Sequence, residues 1–273
     1  MKNLFYICTM KISVITINYN NVEGLERTMM SVFSQTNRCY EYIIIDGGST
    51  DGSVEIINSY SGKIDFWVSE KDRGIYNAMN KGVAHAHGDY CVFMNSGDSF
   101  YNQTVLDRIC LLNDNKDIIV GKVVSNTNVS LFLPPTRDIS LYYLYSGTVA
   151  HQGAFIKTDL LRQYPYDEDL RIVSDWKFFV KTIIEYNCSI IFVDEYVAKF
   201  DIEGVSTSNP EQMWKEKEKV LFDLFPSRIL EDYRFFKSSE CLTQTLTPML
   251  RHHYRIDKIL YTIGRLLGKL VNN

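Results

Sequence analysis

Four apolar runs, ISVITIN (Ile12 to Asn18), YIIID (Tyr42 to Asp46), IDFWVS (Ile64 to Ser69) and DYCVFM (Asp89 to Met94), alternate with segments of helical spacing. That alternation restricts the fold more than any other feature. Strands joined through helices of this length pair in parallel by right-handed crossovers, so their carboxyl ends open along one edge of the sheet. Val22, Leu25, Met29, Val32 and Phe33 mark the apolar face of the first intervening helix. STDGSVEIINSY predicts a second helix with Ser49 or Asp51 as N-cap, and GIYNAMNKGVAHA a third.

This arrangement sets Tyr19, Asp46, Asp72 and Asp98 along one rim, each just beyond a strand or in the loop after it. Asp, Asn, Ser and Gly also make tight turns for backbone reasons alone, so a turn accounts for any one of the carboxylates. As a row, they stand where open α/β sheets take ligands. Gly47 and Gly48 let the chain turn with positive φ and let a ligand approach the backbone.

The second half is less regular. Strands are expected at DIIVGKVV, at NVSLFLPP on a sheet edge, at GAFIKT, and as two short pieces at SIIFV and YVAKF. Amphipathic helices are expected at VSDWKFFVKTIIEY and EQMWKEKEKVLFDLF. Residues 251–273 carry five Lys or Arg against one Asp, with Ile256, Ile259, Leu260, Ile263, Leu266, Leu267 and Leu270 on one helical face. Such a helix packs on its own domain or on a second subunit, or lies on an anionic membrane surface.

Composition narrows the class. With 45% hydrophobic and 23% charged residues and a net charge of -4, the chain reads as globular, and nothing points to nucleic acid as a partner. The six cysteines show no C-x-x-C pair and no metal-ligand spacing, which fits reduced thiols and a cytoplasmic location. No stretch reaches the roughly 18 apolar residues needed to span a bilayer.

The segments SVITINYNNVEGLERTMMSVFSQT, YIIIDGGSTDGS and EKDRGIYNAMNKGVAHAHGDYCVFMNSGD together resemble the nucleotide-binding half of the family 2 glycosyltransferases, inverting enzymes of the GT-A fold. The match is close from about residue 11 to 100 and looser afterwards, through SDW and EGVSTS. The resemblance implies an α/β GT-A fold: a Rossmann-like, mostly parallel central sheet flanked by helices, with a mainly helical C-terminal extension. It implies a catalytic domain over 11–205, divided into a nucleotide-binding half, 11–100, and an acceptor half, 101–205, with the extension over 206–273. The activity implied is non-processive transfer of one sugar from a nucleotide-diphosphate sugar to a saccharide or lipid-linked saccharide. The setting would be the cytoplasm, with peripheral contact on the inner face of the membrane through 251–273 as the alternative to packing.

Residue roles follow from the same likeness. Asp98 matches the last carboxylate of the family's metal motif and would hold Mg²⁺ or Mn²⁺; the motif is thinned here to Asn95, Ser96, Gly97, Asp98. Tyr19 would stack on the nucleotide base, Asp46 would accept a hydrogen bond from it, and Asp72 and Asn80 would lie near the donor. Asp175 of SDW matches the catalytic base, which a poor hydroxyl nucleophile needs. Ser206 would touch the diphosphate from a loop, and His151 and Gln152 would sit where donor meets acceptor. A nucleotide-sugar-binding scaffold without catalysis is the competing reading. A nucleotidyltransferase lacks support, because NYNNVEG after the first strand is not a Gly-rich phosphate loop bearing Arg and Lys.

Overall fold

The structure, a computed structural model, describes residues 10–36, 39–112, 115–127, 131–132, 139–201 and 209–238. They fall into two compact units, the first ending at Val220 and the second beginning at Leu221. Ser206 and the terminal segment 251–273 lie outside the described residues.

In the first unit the chain runs β1 (Ile12–Asn18), α1 (Val22–Phe33), β2 (Tyr40–Asp46), α2 (Ser53–Ser59), β3 (Phe66–Ser69), α3 (Ile75–His85) and β4 (Tyr90–Phe93). These four strands are parallel, in the order β3-β2-β1-β4. Every residue of β1 and β4 is buried, which is why neither shows polar alternation. The register sets Asn18 opposite Asp46, and Asp46 opposite Ser69, so three polar side chains line up where the strands end. α3 packs close to β1 at Gly82, where a Cβ would come within 2.4 Å of Ile15 Cγ2.

Helix starts depart from the expectation. α1 is capped by Asn21, whose Oδ1 accepts the Gly24 N–H at 3.1 Å. α2 begins at Gly52 with no side-chain cap. Of the two residues expected there, Ser49 is used elsewhere, its Oγ donating to Asp46, whereas Asp51 Oδ1 accepts the Ser53 N–H at 3.1 Å at the start of α2 and its Oδ2 accepts the Val22 N–H at 2.8 Å, tying the first two βα loops together.

The chain continues through β5 (Ser99–Phe100), α4 (Val105–Leu111), β6 (Ile118–Ser125), β7 (Leu131–Phe132), α5 (Leu141–Ser146), β8 (Ala154–Lys157), α6 (Thr158–Gln163), α7 (Ser174–Phe179) and β9 (Ile190–Phe200). α7 runs on as a π-helix over Val180–Glu185. The sheet gains β8 antiparallel to β4, then β6, β9 and β5, with β7 on the side of β6. β9 is a single strand rather than the two short ones expected. Its register against β6 slips around Lys122, beside Gly121, where a Cβ would lie 2.4 Å from Val197 Cγ2.

α8 (Pro210–Leu224) closes the first unit and passes into the second. Its Glu216 and Lys217 are buried, and Lys217 Nζ stands 4.8 Å from the centre of the Trp176 ring and donates to the Gly147 carbonyl. This burial carries the compact unit past the boundary expected at 205. In the second unit residues 227–238 are helical. No described helix is long and apolar enough to cross a membrane.

Candidate active site

At the end of β2 the Asp46 carboxylate accepts five hydrogen bonds from the protein. Oδ1 takes the Asn18 amide and the Ser49 hydroxyl; Oδ2 takes the Gly48 and Ser49 N–H groups and the Ser69 hydroxyl. Burial raises its pKa, but the Ser49 and Ser69 hydroxyls, the Ser49 N–H and Asn18 bring it below the usual value. With about four lone-pair sites on a carboxylate, this acid is fully engaged in fixing the turn. Gly48 is the glycine of the pair that needs positive φ, at +82°.

The turn presents Gly47 between two predicted donor residues. A Cβ at Gly47 would lie 3.2 Å from Tyr19 Cδ2 and 3.3 Å from Asp72 Oδ2. Tyr19 is 68% exposed, so its ring offers an open face rather than a packing contact. Asp72 binds Lys81 Nζ at 2.5 Å, yet burial holds its pKa above the ordinary value. Asn80 is not brought to this rim: its amide donates to the Tyr166 carbonyl and to Glu168 and accepts the Tyr166 N–H, holding the loop before α7.

Asp98 follows β4 and is buried at 5% exposure. Its Oδ1 accepts the Asp201 N–H at 3.0 Å, because β5 pairs with β9 and delivers Asp201 beside it. Burial pushes the Asp98 carboxyl up to about 6, against the opposing pull of His151, the Asp201 N–H and Gln152. A cavity of about 160 Å³ joins Asp98 to Asp175, and Tyr76, Asn95, His151 and Arg171 also line it.

Asp175 stands in the first turn of α7. Oδ1 accepts the Tyr76 hydroxyl at 2.9 Å and the Trp176 N–H at 2.9 Å; Oδ2 meets His151 Nδ1 at 2.8 Å. Burial alone would raise its pKa, but the His151 hydrogen bond and charge, then Tyr76 and Trp176, hold it below the ordinary value. Burial would lower the His151 pKa, and contact with Asp175 more than reverses that. Three of the four lone-pair sites of Asp175 are therefore filled and one is left.

Could this cavity hold a divalent cation? No cluster of three His, Cys, Asp or Glu suited to a metal occurs among the described residues. Mg²⁺ and Mn²⁺ take oxygen ligands and complete their shells with water and phosphate, so a full protein cage is not required. Asp98 supplies one carboxylate, and the buried Asn95 Oδ1 in the same cavity has no hydrogen-bond partner. The donor set fits such an ion arriving with a diphosphate.

The sheet thus gathers Asp98 and Asp175 into one cavity and sets Tyr19, Gly47 and Asp72 along the rim. Tyr76, Arg171 and Asp201 were not singled out from sequence. Tyr76 reads there as an ordinary aromatic on a helix, and Asp201 becomes visible only once β9 is paired with β5.

A parallel Rossmann-like half, an antiparallel continuation and a carboxylate-lined cavity at their junction define a GT-A glycosyltransferase architecture. The chain belongs to glycosyl transferase family 2, whose family model matches residues 13–175. An uncharacterised glycosyltransferase of Mycobacterium tuberculosis is 32% identical over 207 residues, covering 72% of this chain and 77% of that protein. A PGL/p-HBAD biosynthesis glycosyltransferase of Mycobacterium bovis is 27% identical over 176 residues, covering 62% and 68%. Among solved structures, S. aureus TarS 1-349 in complex with UDP-GlcNAc matches with a TM-score of 0.63 at 20% identity, over 78% of this chain and 66% of that one. The longer TarS chain is spanned to 39% of its length. The mannosyltransferase PcManGT from Pyrobaculum calidifontis, in complex with GDP-Man and Mn2+, matches at 0.53 and 19% identity, over 70% and 57%.

Proposed function

We propose that the protein is an inverting glycosyltransferase that moves one sugar from a nucleotide-diphosphate sugar to a hydroxyl of a saccharide or lipid-linked saccharide. The observation that carries this reading is Asp175: an ionised carboxylate, buried in a cavity shared with Asp98, with one lone pair free. That lone pair takes the proton of the acceptor hydroxyl as its oxygen attacks the anomeric carbon and the nucleoside diphosphate leaves from the opposite face. Inversion follows from the single displacement. His151, bonded to Oδ2, and Tyr76, bonded to Oδ1, hold the carboxylate in place.

The nucleotide base lies on Tyr19, with Asp46 fixing the turn beneath it and Asp72 beside it. Asp98, with Asn95, would hold Mg²⁺ or Mn²⁺, which when bound would offset negative charge on the leaving diphosphate. The nucleotide-sugar complexes named for TarS and PcManGT support the donor class through shared fold, and the mycobacterial relative's name supports a biosynthetic role.

The test is turnover of UDP-, GDP- and dTDP-sugars by purified protein, with and without Mn²⁺ or Mg²⁺, beside Asp98→Ala. Metal-dependent release of one nucleoside diphosphate, lost in the variant, is expected. Binding of a donor with no turnover, even with lipid-linked acceptors supplied, would replace this reading with that of a non-catalytic binding protein.

A further inference from the structure

Outside the cavity itself, α8 carries a buried charge whose partners are consecutive backbone groups. Glu216 is 7% exposed, and its carboxylate receives three consecutive backbone N–H groups. The Arg171 N–H lies 3.1 and 3.2 Å from the two oxygens, the Ile172 N–H 2.9 Å and the Val173 N–H 3.3 Å from Oε2. Gln212, one turn earlier on α8, donates to Oε1 at 3.0 Å and steadies the side chain. Successive N–H groups converging on one point form an anion-binding concavity, and here a carboxylate from a distant helix fills it.

The segment so held leads into the catalytic helix. α7 starts after Val173, whose side chain makes no cap hydrogen bond to the first turn. Ile172 is gripped at both backbone groups: its N–H donates to Glu216, and its carbonyl lies 2.6 Å from the Tyr76 hydroxyl, whose single proton it shares with Asp175. Arg171 and Ile172 also line the cavity.

From this we infer that Glu216 is a positioning residue for transfer: by binding the N–H groups of Arg171, Ile172 and Val173 it sets where Asp175 and the Arg171 side chain stand in the cavity. The inference rests on the assignment of Asp175 as base, and it adds a requirement that the cavity residues alone do not reveal. The helix following the catalytic sheet is part of the active-site scaffold.

The test compares Glu216→Ala, Glu216→Gln and Val220→Ala in the full chain. Val220 is buried in the same helix at 2% exposure and touches none of these groups through hydrogen bonds, so its truncation lowers Tm through a cavity alone. Misplacing a reacting group by about 1 Å costs on the order of 10²-fold, so Glu216→Ala is expected to lose about that much kcat. The donor KM should stay within about threefold, as Glu216 bonds none of the residues assigned to the donor and what changes is the placement of the base. Glu216→Gln, which keeps an acceptor oxygen, falls between wild type and Ala, and Val220→Ala keeps its kcat. Amide exchange at 171–173 should speed up at least about tenfold in Glu216→Ala, because a local opening no longer breaks those bonds.

Unchanged exchange at these amides overturns the inference, and so does a kcat within about twofold of wild type. A kcat loss in Val220→Ala that matches that of Glu216→Ala at equal loss of Tm reduces Glu216 to a general stabiliser. A wild-type protein that turns over no donor refutes the transferase reading instead, and the exchange measurement still decides whether Glu216 holds the segment.

Discussion

Replacing Asp98 by Asn should make the metal-free protein more stable while removing its metal-dependent activity. Asp98 is buried, and the loss of solvent lifts its pKa from 3.8 to about 6. A carboxylate with a raised folded-state pKa destabilises the fold whenever it is ionised there. The folded state binds the proton more tightly, so stability is greatest at low pH and declines as pH rises between about 4 and 6. Above that window the penalty is constant, and a shift of about two units corresponds to about 3 kcal/mol. Asn keeps the acceptor for the Asp201 N–H and carries no charge, so it relieves most of this penalty. At about 2 to 4 °C per kcal/mol for a domain of this size, the variant should melt roughly 5 to 10 °C higher. Thermal melts in EDTA at pH 8 measure it directly. Mn²⁺ added to donor should then raise the Tm of wild type further and add nothing to Asp98→Asn, because the variant lacks the carboxylate through which the cation adds its own mass-action stabilisation. An Asp98→Asn protein that melts at or below wild type in EDTA refutes the claim that this carboxylate is held at a cost for an incoming cation.

Asp175→Asn should lower kcat by about 10² to 10⁴-fold, the range for loss of a positioned base, with donor KM little changed in steady-state assays. Tyr19→Ala should weaken donor binding about tenfold in calorimetry, from loss of an aromatic stacking face. Its Tm should be unchanged, since the ring is 68% exposed. Gly82→Ala should cost about 1 to 3 kcal/mol in denaturant unfolding, because its Cβ meets Ile15 at 2.4 Å in a closely packed interior.

β1, β2 and β4 could be read from sequence because both their faces are covered. An unbroken apolar run as short as ISVITIN, rich in β-branched residues, suits little besides a strand buried on both sides, and its polar stop then marks the ligand edge. Asp98 was singled out by its place on the rim and by the family's metal motif, and Asp175 only by the resemblance of SDW to that family; the structure lines one cavity with both. Tyr76 and Asp201 were not singled out. Their partners lie 99 and 103 residues away, and no local pattern encodes such a meeting. Glu216 is harder still: in EQMWKEKEKV it is one of six charged residues and reads as part of a solvated face, and only packing shows that it points inward. The caps of α2 misled only in part. Ser49 has the right chemistry at the right place but is claimed by Asp46, while Asp51 accepts the Ser53 N–H at the helix start with one oxygen and the Val22 N–H with the other.

Gly47 bears on how this scaffold could change its donor. Asp46 is so fully engaged that altering it would dismantle the turn, which makes it a poor route for divergence. Gly47 is different: its φ is not positive, and an added Cβ would meet chiefly the Tyr19 ring at 3.2 Å and the Asp72 carboxylate at 3.3 Å, side chains that would shift by a few tenths of an ångström to admit it. A single codon there would reshape the floor on which the base rests without touching the chemistry at Asp175. Laboratory libraries for exchanging uridine, guanosine or thymidine donors would begin at that position, and natural lineages have the same low-cost route open to them.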